Sequence, residues 1–478
     1  MITPVAVSQN RESFLQRTRA KLDLILEGKK QKNTIAVLDG VRALACLFVI
    51  AYHMMLIFVQ DIKILRMDKL PVFFGAILNA GDTGVNLFFI LSGFLLFLPY
   101  ARAILFEQQK WPSFWRFYVK RIMRILPAYY LSLLLMILLF HPAYLQPRNL
   151  PRVLAFVTMF MDSGKTTFKE INGPFWTLAV EWQFYLWLPF IALGIGLLVR
   201  AIMSRSTPRS RFFLLSFFLL LLTSWGVFSR FVGLQFERHV WNLPAIPPII
   251  THIYLVLSYG TIEKAGLHGK FLENFAVGMW VSSLYIYVQA LPKQHKQNTE
   301  RRLQKLSPLL FVIGLLVLLS MFLWKYDMHP KLATDLNIFR ALNDNFAYVS
   351  ELGYGLGYGI CVLALLFGFA WLKRPFEWKP LRWIGLLSYG LYMWHLLLLQ
   401  QLTPLIQSHV HHWPNILIYL SYGAWLLFLI IPCMLLLFFL VERPGIQLGE
   451  LLTRNKKSHP TKRTASINDE SHELIAKD

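Results

Sequence analysis

Apolar runs long enough to cross a bilayer recur along this chain at 35–59, 72–98, 122–140, 174–199, 212–231, 271–290, 307–324, 346–372, 382–402 and 414–441. A helix rises 1.5 Å per residue, so about 20 apolar residues cross a hydrocarbon core roughly 30 Å thick. The pattern predicts an all-α polytopic membrane protein with about ten transmembrane helices. Between 231 and 271 the pattern breaks. Pro244, Pro247 and Pro248 precede an apolar stretch too short to span, which reads as an external or re-entrant excursion.

The linkers alternate in charge. Arg102, Lys110, Arg116, Lys120 and Arg121 follow the second run, and Arg200, Arg205, Arg209 and Arg211 the fourth. Lys293, Lys296, Arg301, Arg302 and Lys305 follow the sixth, and Lys373, Arg374, Lys379 and Arg382 the eighth. The intervening linkers are poorer in basic residues. Because basic loops stay in the cytoplasm, the alternation puts both termini there.

Residues 1–34 are polar and basic, with Phe14, Leu15, Thr18, Leu22, Ile25 and Leu26 at helical spacing, and read as a cytoplasmic amphipathic segment. Residues 35–445 form one membrane domain. Residues 446–478 read as a disordered cytoplasmic tail, basic at first and then acidic.

Composition sharpens this picture in one respect. The chain is 56% hydrophobic and only 15% charged, yet 48 Lys and Arg against 26 Asp and Glu leave a net charge of +22. Since the bases cluster in short linkers beside apolar spans, their partner is membrane lipid and not nucleic acid. Cys46, Cys361 and Cys433 lie inside apolar runs without disulfide or metal-type spacing, and no metal is expected. His409, His411 and His412 beside Trp413 read as a solvated interfacial cluster in preference to a metal site.

The candidate chemistry starts in the first span. Arg42 and His53 are eleven residues apart, about 20° past three helical turns, so they share one face about 16 Å apart along the axis. Asp39 lies near the same stripe. Ionisable residues inside a span cost roughly 2.5 kcal/mol or more, which makes them functional candidates. Spacing alone leaves open that Asp39 and Arg42 sit at the interface and that His53 is a packing residue.

In the stretch from Asn172 to Tyr185, Pro174 starts a helix and Glu181 lies about two turns inside it. His53 is its expected partner, with Arg42 competing. A carboxylate that orients a histidine is a general-base arrangement. Lys120, Arg121 and Arg124 form a basic rim at the cytoplasmic start of the third span, suited either to clamping a donor's phosphates or to setting topology. Ser92-Gly93 reads as a close-packing notch, and His395 is a second histidine within a span.

These motifs together resemble acyltransferase family 3, the integral-membrane O-acyltransferases of bacterial surface glycans. The residues carrying the resemblance are Asp39–Arg42 through His53, Phe89–Phe94, Tyr118–Pro127, Trp176–Tyr185, Ser388–His395 and Glu442–Pro444, in family order over about 35–445. Ala43 stands where a glycine commonly follows the arginine.

The resemblance implies transfer of an acyl group, often acetyl, from cytosolic acyl-CoA to a hydroxyl of a carbohydrate or glycolipid acceptor at the outer face of the plasma (inner) membrane. In that reading His53 is the base, Glu181 orients it, and Arg42, Arg121, Arg124 and Lys120 bind the donor's anionic groups or the developing oxyanion. Buried Arg, His and Glu also suit a proton-coupled secondary transporter or exporter. That alternative lacks duplicated halves and matched broken helices.

Reporter fusions after Arg205 and Arg302 are expected in the cytoplasm, and fusions near Gly164 and Asp335 outside. Either pair on the opposite side removes the ten-span topology.

Overall fold

The computed structural model describes residues 35–106, 110–164, 166–204, 206–237, 269–328, 342–410 and 412–454. The expected amphipathic segment, most of the 231–271 excursion and the tail beyond 454 lie outside the described residues. Among the described residues the protein is helical, with no strand.

The principal helices are α1 (Ala36–Leu56), α2 (Val72–Asn79), α3 (Gly84–Leu105), α4 (Phe114–Leu139), α5 (Leu150–Val157) and α6 (Phe175–Ile202). They continue as α7 (Pro208–Glu237), α8 (Leu272–Gln289), α9 (Lys293–Asp327), α10 (Phe346–Phe367) and α11 (Lys379–Gln407). The last, α12 (Asn415–Thr453), runs through two π-helical turns at Leu426–Ile430 and Phe438–Glu442.

Eight helices among the described residues are long and apolar enough to cross a membrane. They match eight of the ten expected spans. The other two, near 271–290 and 382–402, are helices α8 and α11, but more polar than the rest. The reason for α8 is its interior: Glu273, Asn274, Ser282 and Ser283 are all buried. A helix enclosed by other helices need not present an all-apolar surface to lipid.

The tightest crossings depend on glycine. A Cβ at Gly93 of α3 would meet the backbone of Phe275 in α8, and one at Gly278 would meet the carbonyl of Ile90. Both helices therefore approach to backbone contact, as small residues permit in membrane bundles. The same device brings α11 against α1, where Gly385 abuts the carbonyl of Asp39. Asp39 itself faces Arg382 at 3.7 Å, so a charge expected in the α1 stripe is answered from the start of α11.

The last helix is longer than the expected span. Helix continues from Arg443 to Thr453, past the expected end at 445. Gly445 and Gly449 seat this last stretch on Met123 of α4. Residues 446–453 are thus a docked helix and not tail.

Buried ion pairs tie the remaining elements together. Arg230 of α7 pairs with Glu273 of α8, both about 1% exposed. Asp162, in the α5–α6 connection, accepts from Lys270 and from Gln183 of α6. Lys325, near the end of α9, pairs with Asp82 just before α3.

Gly278→Ala is expected to cost roughly 1–3 kcal/mol by overpacking α3 against α8. Gly194→Ala, where nothing lies within 4 Å of the added carbon, is expected to be neutral or slightly stabilising. Thermal unfolding midpoints in detergent measure both. Equal midpoints for the two variants would remove the close-approach account.

Candidate functional site

Helix α1 carries the site from one end to the other. It starts at Ala36 without a side-chain cap and stays apolar, apart from Asp39, Arg42 and its final turn. Arg42 is half-buried, and its electrostatic neighbours are Arg124, Asp39, Glu181 and Tyr185. Arg121 is also half-buried and has Arg124, Tyr185, Glu181 and Arg42 around it. The expected basic rim therefore turns inward at Arg121 to join Arg42, while Arg124 stays exposed and within the field of both. Lys120, one turn before Arg124 on α4, is exposed.

Two tyrosines aim this face of α4. Tyr118 donates to the carbonyl of Leu186 in α6 at 2.8 Å, and Tyr389 of α11 donates to the carbonyl of Ile125 at 3.0 Å. On the helix so pinned between α6 and α11, Arg121 is half-buried and Arg124, one helical turn along, is exposed. Among the described residues, Arg42, Arg121 and Arg124 make no hydrogen bond or ion pair. None of the Arg42 or Arg121 nitrogens is sealed from solvent without a partner.

Glu181 lies on α6, which begins after Pro174 as expected. Its carboxylate accepts hydrogen bonds from Ser92 of α3 and from Tyr185, one turn along α6. The expected contact with His53 is absent. Two hydroxyls hold the carboxylate on the side where Arg42 and Arg121 converge. Ser92-Gly93 accordingly divides its labour: Gly93 is the packing notch and Ser92 the donor. A second carboxylate, Glu442 in the π turn of α12, is buried beside Arg124. π turns often mark functional positions because they bend the helix there.

His53 sits near the other end of α1 and is half-buried. Its Nδ1 lies 3.0 Å from the carbonyl of Val49 and 3.1 Å from Nε2 of His395. Its Nε2 has no hydrogen-bond partner among the described residues. His395, on α11, is fully buried, and its Nδ1 lies 3.0 Å from the carbonyl of Leu391 and 2.9 Å from that of Tyr392. His395 occupies the place beside His53 that Glu181 was expected to fill. Sequence reasoning noted this histidine and could not pair it, because the two are 342 residues apart.

The His53 end of the bundle is open and charged. Asp82 and Lys169 are charged groups whose fields reach His53, and Lys325 lies over the ring of Tyr52, 5.8 Å from its centroid. Lys169 adopts a left-handed backbone with φ of 61°, uncommon for a residue with a side chain. Its side chain keeps contact with solvent, yet partial removal from water lowers its pKa from the ordinary lysine range, against the opposing effect of Asp82. The site is thus an arginine cluster within the bundle, linked along one face of α1 to a histidine below a charged mouth.

A family model described as an acyltransferase domain matches residues 35–438. Over 394 residues the chain is 24% identical to the peptidoglycan O-acetyltransferase OatA of Listeria monocytogenes, covering 77% of this chain and 50% of that protein. It is 26% identical over 384 residues to the putative peptidoglycan O-acetyltransferase YrhL of Bacillus subtilis, covering 77% of this chain and 49% of that one. A third similarity, 30% over 180 residues, is to protein 2 in the picA locus of Rhizobium radiobacter. The chain spans about half the length of the first two relatives. No solved structure matches it.

Proposed function

This chain belongs to acyltransferase family 3, and on that premise we propose that it is a membrane O-acyltransferase. It moves an acyl group, acetyl in the first instance, from acyl-CoA on the cytoplasmic side to a hydroxyl of a glycan or glycolipid acceptor at the outer face of the plasma (inner) membrane. Both termini lie in the cytoplasm in this reading.

The observation that carries it is the pairing of unlike ends on α1. Among the described residues, the guanidiniums of Arg42, Arg121 and Arg124 lie within one another's field without an acceptor, and a histidine whose Nε2 has no partner there stands eleven residues after Arg42. Planar, permanently charged guanidiniums suit the phosphates of a coenzyme donor. The pantetheine arm, long and uncharged, then runs along α1 and brings the thioester toward His53. The peptidoglycan O-acetyltransferases among the relatives support an acceptor of carbohydrate type.

In the transfer, His53 takes the proton of the acceptor hydroxyl as its oxygen attacks the thioester carbonyl. The carbon–oxygen bond forms, the carbon–sulfur bond breaks, and the proton passes from His53 to the departing thiolate. Glu181, held by Ser92 and Tyr185, keeps Arg42 and Arg121 facing the donor. It does not orient the base. Lys120 contributes only to the field at the entrance.

Replacing Arg121 and Arg124 by Gln is expected to raise the KM for acetyl-CoA with kcat little changed. A phosphate clamp binds ground state and transition state alike. Lysine at Arg124 is expected to rescue only part of the loss, lacking the bidentate fork. Wild-type KM in both variants would move the donor site elsewhere.

His53→Ala is expected to lower kcat by about 10²–10⁴-fold, the range a general base contributes, with folding and insertion unchanged. The measurement is labelled acetyl transfer per molecule of inserted protein. Substantial turnover by His53→Ala would end the role of this histidine as the base.

A further inference from the structure

We propose that His395 is a positioning residue that fixes the tautomer of His53, so that His53 holds its proton on Nδ1 and offers an unprotonated Nε2 to the acceptor hydroxyl. The proposal rests on the reading of His53 as the base.

The argument is an accounting of hydrogens along one chain of contacts. Nδ1 of His395 lies against two carbonyl oxygens, at 3.0 and 2.9 Å. A bare nitrogen there would set three lone pairs against one another, so this Nδ1 carries hydrogen. A neutral imidazole has one N–H, which leaves Nε2 of His395 as an acceptor. That Nε2 is 3.1 Å from Nδ1 of His53, and the same Nδ1 is 3.0 Å from the carbonyl of Val49. Two acceptors converge on it, so it too must carry hydrogen. The proton is thereby excluded from Nε2 of His53, the one nitrogen of the pair with no partner among the described residues.

The turn that presents His395 is held from several directions. Tyr392 accepts from Thr177 at 2.8 Å, the carbonyl of Met393 accepts from Asn172 at 2.7 Å, and Trp394 donates to Ser132 at 2.8 Å. All of these groups are buried. A side chain whose neighbours are tied to α4, to α6 and to the connection before α6 cannot swing away, so the acceptor stays where Nδ1 of His53 meets it.

The arrangement also serves the charged intermediate stage. When Nε2 of His53 takes the hydroxyl proton, the positive imidazolium donates from Nδ1 to a neutral nitrogen and to a carbonyl. Such charge-assisted bonds are shorter and stronger than neutral ones. The proton then leaves Nε2 for the thiolate, and the pair returns to its starting tautomers. A histidine does here what a carboxylate does in a Ser-His-Asp triad: it holds the ring in the productive tautomer and orientation.

The test uses the full chain and two readouts. The first is 15N NMR of protein labelled at its histidine nitrogens. With 13 histidines present, the His53 signals are assigned by subtracting the spectrum of His53→Gln. At neutral pH the wild type is expected to show His53 as the Nδ1–H tautomer. His395→Phe is expected to show a mixture, and His395→Gln, whose amide oxygen can still accept, to restore Nδ1–H. A wild-type His53 protonated on Nε2 overturns the proposal whatever the activity.

The second readout is acetyl transfer from acetyl-CoA to solubilised peptidoglycan fragments, with His53→Ala in parallel. His395→Phe is expected to lower kcat by about 10²-fold, the low end of a general base's contribution, with the KM for acetyl-CoA unchanged. His395→Gln is expected to recover most of that loss. Equal losses in the Gln and Phe variants, with His53→Ala inactive, overturn the proposal and leave the base intact. Transfer that survives in His53→Ala overturns both.

Discussion

Everything in this bundle is arranged around the cost of holding charge away from water. An ion taken into an apolar interior loses several kcal/mol of hydration unless a partner or a solvated space replaces it. The described structure answers that demand pair by pair: Arg382 near Asp39, Arg230 with Glu273, Lys270 and Gln183 with Asp162, Lys325 with Asp82. Once these are accounted for, the arginines at 42, 121 and 124 stand out, because nothing among the described residues meets them at bonding distance. The candidate site emerges by subtraction. It is the place where the protein leaves cationic surface for something else to satisfy.

The same demand explains the neutral groups around the site. Ser92 and Tyr185 spend their hydroxyls on Glu181, which fixes a carboxylate within the field of two guanidiniums without closing an ion pair. A direct pair would neutralise the cluster and block it. A carboxylate held back by hydroxyls lowers the mutual repulsion of the arginines while leaving their hydrogens available.

Much of this was legible in the sequence, and the boundary is physical. Helical spacing alone put Arg42 and His53 on one face of α1, because that relation is local and fixed by 3.6 residues per turn. Pro174 marked the start of α6, since a proline at the first turn forfeits no hydrogen bond. What could not be read were contacts set by packing. The partner of His53 is on α11 and not α6, and nothing in either stretch specifies which polar groups meet across the bundle. The helical dock at 446–453 escaped because its apolar stripe is short and mixed with polar residues. Helix α8 lies between these cases: its existence was evident, while its buried Glu273 is explained by Arg230 on α7.

That pairing bears on how the protein is made. Helix α8 places Glu273 at its first turn, and the guanidinium that answers it belongs to another segment. A charged residue raises the free energy of inserting an isolated helix by roughly 2.5–3.5 kcal/mol at mid-membrane and by less toward its ends. The backbone contacts of Gly93 and Gly278 further require α3 to be present before α8 can settle. Helix α8 is therefore not an autonomous unit of insertion. Its seat in the bundle is made by α3 and α7, both of which precede it in the chain.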